Sequence, residues 1–238
     1  MDTTTLPSIV LVPGHWLSAW AWADVEARLT DLGFTVDAVS LPGTSPGDGD
    51  GEDTTLDDQI DALSDAVARQ PTPPVLVAHS GAGRVATGVS DRAPESVRRV
   101  VYVDSGPAAD GSAFDESAGD TPGELPEFAD LEAGGASLEG ISPAALEEFR
   151  TRAVPVPPGV LMGVLELTNE ARLDVPSTII ASSIPSEAMM GLAQQGHPMF
   201  AEVARFRDLG LVDLPTGHWP MWSRPQDLAD AIAAAAQG

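Results

Sequence analysis

The sequence predicts an α/β protein, a mostly parallel sheet flanked by helices with one inserted lid. Three observations point there. Short, continuously apolar runs alternate with segments of helical spacing, the order that builds right-handed β-α-β units. Residues 106–175 break that pattern, being rich in small, acidic and proline residues. After residue 176 strand character returns, so the core is expected to comprise 1–105 and 176–238, with 106–175 as a lid.

The first run, Ser8-Ile9-Val10-Leu11-Val12, ends at Pro13-Gly14, as expected of a strand buried on both faces. Trp22, Val25, Leu29 and Leu32 then follow helical spacing up to Gly33, and residues 34–39 alternate as a strand. The Pro, Gly and Asp content of 41–53 predicts a loop, with Thr54 or Thr55 placed to cap the next helix, whose apolar positions are Leu56, Ile60, Leu63 and Val67. Val75-Leu76-Val77-Ala78 and Val100-Val101-Tyr102-Val103 are further strands, separated by a helix-like segment to about Arg92. Inside the insertion only 144–150 has a clear helical pattern. Strands return at 178–181 and 210–214, and 226–235 closes the chain as a helix.

A chain of 238 residues, 43% hydrophobic and 20% charged, is long enough for one sizeable core. It contains no apolar run of membrane-spanning length, and Met1-Asp2-Thr3-Thr4-Thr5 lacks the features of a secretory signal, so the expectation is a cytoplasmic protein with no membrane partner. Absent cysteine excludes disulfides, thiolate metal sites and a cysteine nucleophile. Twelve arginines, with no lysine, oppose 36 acidic residues for a net charge of −24, which repels nucleic acid. That acidity reads as a solvated surface or as adaptation to salt or a cationic partner. Oligomeric state is not legible.

Chemistry enters at Ala78-His79-Ser80-Gly81-Ala82-Gly83, between a buried strand and a helix. A serine on such a turn is held in a strained conformation that needs small neighbours two residues away, and Ala78 and Ala82 meet that need. The turn lifts the Ser80 hydroxyl above the sheet edge as a nucleophile. It leaves the Gly81 N–H at a helix N-terminus, where it can hold a developing oxyanion. The plainer alternative is a capping serine on a glycine-rich helix start.

With these residues in view, the chain resembles the α/β-hydrolase superfamily over nearly its whole length, in particular its small esterase and hydroxynitrile-lyase-like members. Pro13-Gly14-His15-Trp16, followed by Ala19-Trp20 and Trp22, is similar to the family's first-loop motif, with Pro13 in place of histidine. The resemblance makes the His15 backbone N–H the second oxyanion donor. Leu41-Pro42-Gly43 resembles the loop after the next strand, with Ser40 where aspartate is usual. Thr216-Gly217-His218-Trp219-Pro220 resembles the catalytic-histidine loop and makes His218 the general base, while His79 and His197 are expected to pack. The family's acid most often follows the strand at 178–181, where this chain reads Ser182-Ser183-Ile184-Pro185-Ser186. Asp104 is the favoured replacement, at the place used by haloalkane dehalogenases; Glu187 is the other candidate, and a Ser-His dyad the remaining one.

The function expected is hydrolysis of a small to medium uncharged ester or lactone through an acyl-enzyme, with a small-molecule substrate and no cofactor or metal. Trp16, Trp219 and Met190 are expected to line the substrate site, with Trp222, Met189, Met199 and Phe200 as further candidates for apolar walls or lid packing. The run Asp48-Gly49-Asp50-Gly51-Glu52-Asp53 lacks the distal glutamate of a calcium loop. Two alternatives remain: a hydroxynitrile-lyase-type C–C lyase, whose plant members carry lysine where Trp219 stands, and a non-catalytic ligand-binding relative.

Overall fold

The computed structural model describes residues 6–45 and 51–238. Six parallel strands form one sheet: β1 (Ile9–Val12), β2 (Val36–Ala38), β3 (Val75–His79), β4 (Arg99–Val103), β5 (Ser177–Ala181) and β6 (Leu209–Asp213), in the order β2-β1-β3-β4-β5-β6. β1 is wholly apolar, and β3 and β4 each hold four consecutive apolar residues, because both faces are covered; β5 opens instead on the buried Ser177 and Thr178. Alternate side chains divide between two cores. Val10, Val12, Leu76, Ala78, Val100, Tyr102 and Ile179 pack under α2 (Leu56–Ala68), α3 (Ala82–Arg92) and α7 (Ser186–Gln194). Ile9, Leu11, Val75, Val77, Val101, Val103 and Ile180 pack under α1 (Ala23–Asp31) and α9 (Pro225–Gln237).

Local signals explain the element ends. The helix expected from residue 20 begins as a 3-10 turn at Ala19–Trp22 before α1, and ends at Gly33, whose φ of 92° suits glycine. Thr55 caps α2 through a capping box with Asp58. The segment between β4 and β5 holds more helix than its composition suggests: α4 (Phe128–Ala133), α5 (Pro143–Arg152) and α6 (Pro158–Met162). A short α8 (Pro220–Ser223) precedes α9. No helix among the described residues is long and apolar enough to cross a membrane.

The strand order reverses direction between β1 and β3. In open parallel sheets the crevice outside the carboxyl ends at such a switch point is where ligands bind. The loop after β1 and the Ser80 turn after β3 flank that crevice.

Candidate active site

Among the described residues, three other than glycine have left-handed backbones: Trp16 (φ 65°), Ser80 (φ 50°) and Asp104 (φ 42°). They follow β1, β3 and β4, so the strained positions gather at one end of the sheet. The Ser80 turn is held from below. Its N–H donates to Val103 O at 3.2 Å, and Ser105 Oγ donates to Ser80 O at 2.6 Å. The loop after β1 presses against it so closely that a Cβ on Gly14 would lie 2.8 Å from Ser80 Cβ.

Ser80, His218 and Asp104 form one hydrogen-bonded chain. His218 Nδ1 lies 2.6 Å from Asp104 Oδ2, and His218 Nε2 lies 2.8 Å from Ser80 Oγ. An ionised carboxylate only accepts, so Nδ1 carries the imidazole proton and Nε2 is left to accept from the serine hydroxyl. The residues that stand where the family's acid is usual serve Asp104 instead. Ser182 N–H and Ser183 N–H donate to Oδ1 at 3.0 and 2.8 Å, and Ser183 Oγ donates to Oδ2 at 2.7 Å. Burial alone raises the Asp104 carboxyl, but the His218 hydrogen bond and charge, with the Ser183 donors, outweigh it and hold the group below its usual range. Glu187 lies exposed on α7, away from this chain.

Among the described residues, neither the His15 nor the Gly81 backbone N–H has a partner. The His15 imidazole lies over Gly81, where a Cβ would come within 2.4 Å of its Nε2, and meets the Phe114 ring edge-on at 4.2 Å between centroids. Burial first, then the charges of Arg84 and His218, push its pKa down to about 4.

His79, expected to pack, does more than that. Its Nε2 lies 2.8 Å from His218 O, a carbonyl that can only accept, so Nε2–H donates and anchors the His218 main chain. Its Nδ1 is buried without a partner among the described residues, and burial, then His218, push the ring down to about 3, which keeps it neutral. From the insertion side, His218 N–H donates to Ser137 O at 2.7 Å and Gly217 N–H to Glu139 O at 3.3 Å. The His218 main chain is therefore gripped both by the end of β3 and by residues 137–139. Nothing in the local sequence signals these long-range partners; the buried position of His79 at the end of an apolar strand was the available clue.

The expected substrate contacts divide. Trp16 lines a cleft with His15, Gly81 and Val85, and its Nε1 donates to Gly123 O at 2.9 Å. Trp219 corrects the sequence reading: it is 1% exposed, packed against Phe149, Trp222 and the edge of the His218 ring, and belongs to the core. An aromatic beside a loop histidine looks the same in sequence whether it faces a pocket or the core. Met190 is half-buried against the core cluster that holds Met189 and Val203, and it is not among the residues that line this cleft. Half of the acidic run 48–53, residues 48–50, lies outside the described residues.

The profile of the alpha/beta hydrolase family matches residues 9–231. A carbendazim-hydrolyzing esterase from a Nocardioides species is 29% identical, the match covering 96% of this chain and 99% of that protein. Among solved structures, an extracellular α/β-hydrolase from a Paenibacillus species superposes with a TM-score of 0.78 at 20% identity, covering 98% of this chain and all of that one. A methylesterase from Arabidopsis gives 0.78 at 18% identity, covering 98% and 99%. The family match spans all six strands together with Ser80, Asp104 and His218, and the chain belongs to the α/β hydrolase family.

Proposed function

We propose that this hydrolase cleaves small to medium uncharged esters or lactones through an acyl-enzyme on Ser80, with residues 106–175 as its lid. The observation that carries the reading is the Ser80–His218–Asp104 hydrogen-bond chain beside two unpartnered backbone N–H groups. His218 Nε2 takes the hydroxyl proton as Ser80 Oγ attacks the ester carbon, and Asp104 stabilises the imidazolium. The His15 and Gly81 N–H groups receive the oxyanion. The intermediate collapses, His218 returns the proton to the leaving alkoxide, and water then cleaves the acyl-enzyme by the same route. An uncharged substrate suits a surface of net charge −24, and the esterase and methylesterase names among the relatives support the ester class. A lyase of the hydroxynitrile type gains no support, because the position after His218 is a buried indole rather than a lysine.

The test is covalent. A fluorophosphonate should label the wild type on Ser80 and leave Ser80→Ala unlabelled, and Ser80→Ala should lose turnover of short-chain esters while keeping its far-UV spectrum. An unlabelled wild type, or full turnover in the variant, would place the protein among non-catalytic relatives or move the nucleophile elsewhere.

A further inference from the structure

The buried face of α2 is apolar at Leu56, Ile60, Leu63 and Val67, yet Gln59 lies on it at 4% exposure. An amide in such surroundings costs free energy unless its polar atoms are bonded. Half of this one is satisfied: Nε2 donates to Pro42 O at 2.9 Å. A carbonyl can only accept, so this contact fixes the amide orientation and leaves Oε1 as the other polar end. Among the described residues Oε1 accepts no hydrogen bond, and it is not among the side-chain atoms sealed from solvent without a partner, so it keeps some access to water.

Gln59 lines the same cleft as Gly14, His15 and Gly81, a narrow space of about 20 Å³ between α2 and the start of α3, room for one small polar group. Its walls are otherwise largely apolar, including Trp16, Leu41, Ala82, Val85 and Val156. Thr44 is also present, but its hydroxyl proton is committed to Leu41 O at 2.7 Å.

We infer that Gln59 determines specificity, its free amide oxygen selecting esters that carry a hydroxyl or N–H donor on the group entering this cleft. The inference rests on the ester-hydrolase reading above. A substrate donor would complete the hydrogen bonding of Oε1, whereas an alkyl group of the same size would strip water from it and leave it unpaired. A carboxylate there would meet a partial negative charge and be rejected.

The experiment uses ester pairs matched in heavy-atom count, in which a terminal hydroxyl replaces a terminal methyl. Methyl hydroxyacetate against methyl propanoate probes the acyl side, and 2-hydroxyethyl acetate against propyl acetate probes the alkoxy side, each extended through a short series of longer chains. In the wild type the hydroxyl member of at least one pair should have a kcat/KM about tenfold higher, as one neutral hydrogen bond provides. Gln59→Met and Gln59→Leu should bring that ratio close to one. Because each ratio is read within one protein, partial loss of folded enzyme cancels. A wild-type ratio near one in every pair, or a ratio that survives both substitutions, overturns the inference while leaving ester hydrolysis in place. Calorimetric binding of the same esters to Ser80→Ala separates the two readings. Discrimination through Gln59 without turnover by the wild type would sink the hydrolase reading alone, and neither binding preference nor turnover would sink both.

Discussion

Asp104 occupies a backbone conformation that an aspartate adopts only at a cost of order 1–3 kcal/mol, and it is held there by its partners. Its N–H donates to Ile180 O, its carboxylate takes three donors from Ser182 and Ser183, and His218 completes the set. The turn brings the carboxylate to the two residues that follow β5 and to the imidazole. Asp104→Asn keeps the shape but presents an amide that cannot stabilise imidazolium and that favours the wrong tautomer. Steady-state kinetics should show kcat lower by about two to four orders of magnitude. Glu187→Gln, on an exposed helix face, should change kcat little; the reverse ranking would move the acid to Glu187. The missing carboxylate at 182–186 made Asp104 legible in the sequence. The serines filling that gap were not, because their donors act on a residue 78 and 79 positions away.

At the scale of elements, the strands were legible because a parallel sheet covered on both faces needs continuous apolar runs, and those runs end where the loops carry chemistry. The insertion was not. Its helices are short, and α4 and α5 each bury a single residue, Leu131 and Phe149, rather than a full apolar stripe, so no periodicity announces them. The segment is nonetheless fastened to the core at several points. Arg84 Nη2 donates to Ser112 O and Gly163 O at 2.9 and 2.7 Å, Val154 N–H donates to Trp16 O, and residues 137–139 pair with the His218 loop. Gly217 permits the last contact: a Cβ there would lie 2.5 Å from Ser137 O and 2.8 Å from both Glu139 N and Glu139 O, all backbone atoms. Gly217→Ala must therefore push the insertion and the His218 loop apart. A displacement of that kind shifts the His218 imidazole from Ser80, and kcat should fall about tenfold to a hundredfold with less change in KM. Unchanged kcat would show that the insertion does not position His218.

For the molecule as a whole, the dominant electrostatic fact is 36 acidic residues against 12 arginines. Several arginines are spent in local pairs: Arg28 with Asp230, Arg92 with Asp57, Arg152 with Glu148, Arg224 with Asp227, and the buried Arg172 with Glu202. Exposed pairs of this kind contribute little each, and they leave most carboxylates facing one another across the surface. That repulsion weakens the compact state, and salt should relieve it, since the Debye length falls from about 30 Å at 0.01 M to about 3 Å at 1 M. The melting temperature at pH 8 should therefore rise as sodium chloride is added. At this pH His15 and His79, held neutral in the fold and ordinarily titrating near 6.5, are uncharged whether folded or not, so carboxylate repulsion is the variable being screened. Sodium chloride is preferable to sulfate, which also strengthens apolar burial. The gain should shrink as the pH approaches the sequence pI of about 4.1, where many carboxylates are protonated. A melting temperature that stays flat or falls with added salt at pH 8 would show that the surplus charge does not limit stability, and would leave it a role in solubility alone.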